Sequence, residues 1–186
     1  KTFASPKEVG IRMMILYTVA YVATEPDQRT RASKWLKKEK LCPFVAPSER
    51  ELFDGKELIQ QQLNDLSWQT EGAYILAWSL NLIDKKPSPV APLDDEQLGT
   101  FISQVPALGD KLDHFLEDLS YRDPVEIYDE NIFHELVTTY FRDLIFNGKE
   151  DTSDIDTSIS FQRHQALNWL RRFMEIEKWD ETDTST

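Results

Sequence analysis

Residues 68–83 read WQTEGAYILAWSLNLI. Wound as a helix, Trp68, Ala73, Tyr74, Ile75, Leu76, Ala77, Trp78, Leu80 and Leu82 leave almost no polar side. A helix that is apolar all round sits in the middle of its domain. The stretch therefore predicts a central helix from about Trp68 to Ile83 and an all-α fold, an irregular bundle of about seven or eight helices. Glu71 is the one charged residue inside it. A buried carboxylate without a partner costs several kcal/mol, so Glu71 requires a cation. Arg163 is the first candidate and Arg142 the second. The pair would either fix how the last helix docks on the central one or hold a carboxylate of shifted pKa for acid-base work.

Upstream, Ser5-Pro6-Lys7-Glu8 is a capping box with proline at the first helical position. It predicts a helix from Pro6 to Ala23 with Ile11, Met14, Ile15, Thr18, Val19 and Val22 on one face. Asp27 opens a second helix to about Lys40 that buries Ala32, Trp35 and Leu36. Its Arg29, Arg31, Lys34, Lys37 and Lys38 form either a solvated face or a contact patch. Ser48 to Glu51 reads as another capping box, opening a helix with Leu52, Phe53, Ile59, Leu63 and Leu66 inward that Gly55 can break.

Downstream, KKPSPVAP at 85–92 is an extended connection between two helical halves, too short to separate domains, so 1–186 reads as a single domain. Asp94 caps a helix to about Gln104, and a short helix follows from Asp110 to Leu119. Asp123-Pro124 opens a single turn. A stronger helix runs from Glu130 to Phe146 with Phe133, Leu136, Val137, Tyr140, Phe141, Leu144 and Ile145 matching its apolar face, and Asn147-Gly148 stops it. Ser158 or Ser160 caps the last helix, whose stripe is Ala166, Leu167, Leu170, Phe173 and Met174.

The chain has 186 residues, 40% of them hydrophobic, with five Trp and ten Phe, enough to build a core and to exclude wholesale disorder. Its net charge of −12 repels a phosphate backbone, so nucleic acid is not an expected partner and a basic protein is. The lone Cys42 makes no internal disulfide. The apolar run Ile11 to Ala23 is too short, and too interrupted by Arg12, Tyr17 and Thr18, to span a bilayer. With no signal peptide in view, the expectation is a cytoplasmic protein away from membranes.

No GxSxG, Walker, GxGxxG or HExxH pattern is present, so no catalytic residue and no cofactor is expected. His114, His134 and His164 share no i, i+4 pair, and no metal site is expected. What stands out is FQRHQALNWLRRFMEIEKWDETDT at 161–184. His164 and Asn168 share a face beside Arg163, and Arg171 continues it. Trp179 can fold back so that Asp180 and Asp183 reach that face. The cluster of Glu71, Arg142, Arg163, His164, Asn168, Asp180 and Asp183 is then either a latch for the tail or a polar pocket for a small anion or a partner's basic side chain.

The same residues carry a resemblance. RHQALNWL at 163–170 and WDETDT at 179–184 resemble the closing signature of a largely bacterial family of helical proteins called domain of unknown function four-two-seven-two. LSWQTEGAYILAWSL at 66–80, EIYDEN at 126–131 and SPKEV at 5–9 are similar to further pieces of that family, in the right order. FHELVTTYFRDL at 133–144 departs from a Tyr-Arg then His-Trp pattern, so His134 inherits no family role. The resemblance implies an α-helical, cytoplasmic protein and no particular activity. Two expectations therefore stand: a non-catalytic interaction module, in one form an acidic immunity-type or antitoxin-like protein, or an enzyme or small-ligand binder using a pocket near Glu71, Arg163, His164, Asp180 and Asp183.

Overall fold

Ser5 and Glu8 cap each other at the start of the first helix. In the computed structural model, which describes residues 3–185, Ser5 Oγ accepts from the Glu8 amide at 3.3 Å and the Glu8 carboxylate accepts from the Ser5 amide at 2.7 Å. Helix α1 then runs Pro6–Thr24. Lys1, Thr2 and Thr186 of the expected domain lie outside the described residues. The single apolar face expected of α1 is in fact burial on all sides, since every position from Val9 to Leu16 is buried. Its neighbours explain this: α2 (Arg29–Lys38), α3 (Pro47–Phe53), α4 (Gln60–Ser67), α5 (Gln69–Ser79) and α7 (Asp113–Glu117) all pack on it. The centre is thus a pair, α1 with α5.

The central helix ends at Ser79, earlier than Ile83. Asn81 takes the left-handed conformation (φ 57°), and the Leu82 amide donates back to the Ala77 carbonyl at 3.1 Å, an αL stop that Asn tolerates. The helix expected from Ser48 to Leu66 is two helices, α3 and α4, parted around Gly55 at φ 79°. The box opening α3 lies two residues upstream of the expected one, with Glu49 Oε2 accepting from the Ala46 amide at 2.8 Å. Asp94 caps α6 (Asp95–Gln104) through the Gln97 amide at 2.8 Å.

The expected turn at Asp123 and the helix after it form one continuous α8, Pro124–Asn147, ended by left-handed Gly148. Its buried face also differs from the apolar pattern: Leu136 and Ile145 are 63% and 81% exposed, while Ile127, Asn131, His134, Val137 and Leu144 are buried. The helix packed on α8 is α9 (Thr157–Leu170), which covers only one strip of it. Asp156, rather than a serine, caps α9, its Oδ1 accepting from the Ser158 amide at 2.9 Å. The stripe stops at Leu170, because Arg172, Met174 and Glu175 all have positive φ and turn the chain back. Trp179 then packs edge-on against Trp169 with ring centroids 6.1 Å apart.

All described residues are in helices, turns or irregular segments, with no strand. Among them no helix is long and apolar enough to cross a membrane.

Candidate functional site

Helix α9 lies between α5 and α8, and each of its sides carries polar groups of a different kind. Toward α5, Arg163 and Glu71 meet with both side chains buried. Arg163 Nη2 donates to Glu71 Oε2 at 2.7 Å and Nε donates to the same oxygen at 3.1 Å. The remaining valences are met by the proline-rich connection: Arg163 Nη1 donates to the Ser88 carbonyl at 2.7 Å, and Glu71 Oε1 accepts from the Leu93 amide at 2.9 Å. Gly72 faces the same contact: a Cβ there would meet the Gln162 carbonyl oxygen at an ordinary 3.5 Å and Leu16 Cδ1 of α1 at a tighter 3.3 Å. Charge is matched, and each carboxylate oxygen is engaged.

Toward α8 the groups are joined in a row. Asn168 Nδ2 donates to His164 Nε2 at 3.1 Å, so His164 carries its proton on Nδ1, 2.9 Å from Thr138 Oγ1. Thr138 in turn donates to the His134 carbonyl at 3.0 Å. Asn131 Nδ2 donates to Asn168 Oδ1 at 2.8 Å, and Arg171 donates to Asn131 Oδ1. Burial pushes His164 down to about 4, with the neighbouring His134 and Arg171 adding to the effect and Asp183 opposing it.

One turn away, His134 Nδ1 lies 2.8 Å from Ser160 Oγ, and its Nε2 is 3.3 Å from Glu130 Oε1 without hydrogen-bond alignment. Lys86 Nζ pairs with Glu130 Oε2 at 2.7 Å. Burial lowers His134. It pushes Glu130 up, but the adjoining His134 and the paired Lys86 outweigh it and hold that carboxyl below its ordinary range. The order serine, histidine, carboxylate is that of a nucleophilic relay. Ser160 is only 3% exposed, and here the row joins α8 to α9.

The tail is held differently from the expected contacts. Asn168 Nδ2 donates to the Asp183 carbonyl at 2.8 Å, while the Asp183 carboxylate accepts from the Ser185 amide. Asp180 is placed elsewhere: its oxygens accept from the Ser48 amide at 2.9 Å and the Ser48 hydroxyl at 2.6 Å, in the first turn of α3. Arg142 donates to the Ser185 carbonyl and takes no part in the Glu71 pair. Of the seven residues singled out from the sequence, the fold joins Glu71 to Arg163, and Asn168 to His164 and the Asp183 backbone.

Sequence reasoning passed over a second buried ion pair, Arg12 with Glu49, at 4% and 0% exposure. Glu49 Oε2 also takes the Ala46 amide, and the Arg12 guanidinium lies 4.7 Å from the Trp179 ring centroid. The signal was present: Arg12 interrupts an apolar run just as Glu71 does. Asn131, His134 and Ser160 gave none, because polar residues on an amphipathic helix read as its wet side. Among the described residues no group of three or more His, Cys, Asp or Glu is placed to hold a metal ion.

The family described as Domain of unknown function (DUF4272) matches residues 1–182, which takes in both faces of α9 and most of the tail. This chain belongs to it. No curated protein and no solved structure matches the chain. In this DUF4272 protein Arg163, His164, Asn168 and Trp169 each make a side-chain hydrogen bond that ties α9 to another part of the fold.

Proposed function

We propose that this DUF4272 protein is a non-catalytic cytoplasmic interaction module, of the immunity or antitoxin kind, that binds a basic protein partner through the outer face of α8. One observation carries the reading: Ile145 and Phe146 are 81% and 82% exposed, with Leu136 at 63% and Phe161 at 49%. Ile145, Phe146 and Phe161 line an apolar groove of about 560 Å³ between α8 and the start of α9. Soluble proteins seldom leave a contiguous apolar patch uncovered unless something docks there. Asp143, Glu150, Asp151 and Asp154 are exposed in the same segment. Arg142 lines the groove and donates to the Ser185 carbonyl, and Lys149 lies 3.9 Å from Asp143. At a net charge of −12, a second copy would set like charge against like, whereas a cationic amphipathic segment suits both the apolar groove and the acidic residues elsewhere in this segment.

The test titrates the protein with a Leu/Lys amphipathic helical peptide and with its Leu/Glu counterpart. The Lys peptide should bind, weakening steeply with salt, and the double variant Ile145→Ser/Phe146→Ser should bind about tenfold or more weakly. Both side chains are exposed, so the variant folds. Equal binding of the Glu peptide, or sedimentation showing a dimer that this double variant abolishes, would overturn the assignment.

A further inference from the structure

A second groove, of about 540 Å³, lies where α1, residues 43–47 and the returning C-terminal turn meet. Its floor is fixed: the Arg12 guanidinium, held by buried Glu49, faces the Trp179 ring, and Trp179 packs on Trp169. Pro43, Pro47 and half-exposed Phe44 supply apolar wall. Most charges around it are satisfied within the protein. Arg172 pairs with Glu8 at 2.8 Å, Lys178 pairs with Glu181 at 2.7 Å, and Asp180 is taken by Ser48.

Among the described residues, two lining charges are uncommitted. Arg50 uses only Nε, which donates to the Val45 carbonyl at 3.3 Å, leaving both terminal guanidinium nitrogens without a partner. Glu177 accepts through its backbone carbonyl from Trp169 and Arg172, leaving its carboxylate without one. A guanidinium fork matches the two oxygens of a carboxylate or a phosphate monoester. An aromatic ring and prolines match a flat apolar body. The volume is that of a small-molecule site.

We propose that this groove binds a small organic monoanion, its flat apolar body against Phe44 and the two prolines and its anionic group on Arg50. The Glu177 carboxylate selects against a second negative charge. The site is separate from the α8 face and does not depend on what docks there.

The experiment follows the indole N–H resonances of Trp169 and Trp179 during titration at pH 8 with 1-naphthoate, with neutral 1-naphthalenemethanol and with dianionic 1-naphthyl phosphate. 1-Naphthoate should shift the Trp179 signal saturably and bind about tenfold more tightly than the neutral alcohol. Arg50→Gln, an exposed change, should bring 1-naphthoate down to the affinity of the alcohol, and Arg50→Lys should restore only part. Ile145→Ser/Phe146→Ser should leave this binding unchanged. Absence of binding, equal affinity for acid and alcohol, an unaffected Arg50→Gln variant or shifts confined to α8 would each overturn the site. Tighter binding of the phosphate would overturn its selectivity for a single charge.

Discussion

Arg163 and His164 stand side by side in α9, both buried, and face different helices. Arg163 keeps its charge and is matched by Glu71 and two backbone groups from the connection at 88–93. His164 gives up its charge: burial lowers its pKa to about 4, and the neutral ring is held by Asn168 and Thr138. The two sides of one helix thus bury polar groups by opposite means, compensation on one and neutralisation on the other. Their failure modes differ accordingly.

The charged side should break hardest under mutation. Glu71→Ala or Arg163→Ala alone leaves an uncompensated buried charge, and urea denaturation should show a loss of about 3–5 kcal/mol for either. Glu71→Leu combined with Arg163→Met should give much of that back, less what the stranded Leu93 amide and Ser88 carbonyl cost. Simple additivity of the two single losses would mean that the residues are not coupled.

The neutral side should break with acid. The folded pKa of His164 lies below that of the free side chain, so between about pH 6.5 and 4 the unfolded chain takes up the proton first. Stability should be unaffected by His164 above that window, fall through it by up to roughly 3 kcal/mol and level off below it. His134, also lowered, pushes in the same direction. Glu130, held low in the folded state, adds its own loss only once the pH falls below the ordinary carboxylate range. Denaturation midpoints across pH 7 to 4 should show this slope, and His164→Gln should flatten it. A slope unchanged in that variant would assign the acid sensitivity elsewhere.

The tail offers the smallest effect. Asp180→Ala removes an exposed carboxylate from the first turn of α3 and should cost about 1 kcal/mol. Its clearer signature is faster hydrogen exchange at the Ser48 amide. If that exchange does not change, the tail is held by Trp179 packing and the Asn168–Asp183 hydrogen bond without help from Asp180.

What the sequence disclosed follows the same division. Buried α5 was legible because burial on all sides leaves no polar residues for a wet face, and the Glu71–Arg163 contact because a lone charge in such a helix needs a partner; α1, read as one-faced, was not recognised as its equal. Arg12 obeyed that logic inside α1 and was read only as a break in an apolar run. The α8–α9 row was not legible, since Asn131, His134 and Ser160 pattern like solvent-facing residues until another polar helix satisfies them. Periodicity also misplaced Leu136 and Ile145, because it shows that a helix has an apolar side and not whether anything covers it. Asp180 fell on Ser48 through contacts 132 residues apart, which no local pattern encodes.

The connection at 85–93 has one more consequence. By composition it looks like a spacer, the kind of segment where chains are cut, lengthened or fused to others without harm. Yet its Ser88 carbonyl and Leu93 amide complete the coordination of the buried Arg163–Glu71 pair, and its Pro89 carbonyl receives the Asp156 amide at the foot of α9. Its length is therefore set from both ends, and the prolines that make it look dispensable hold those two backbone groups at a fixed separation. A polypeptide engineered at this point loses a lid rather than a hinge.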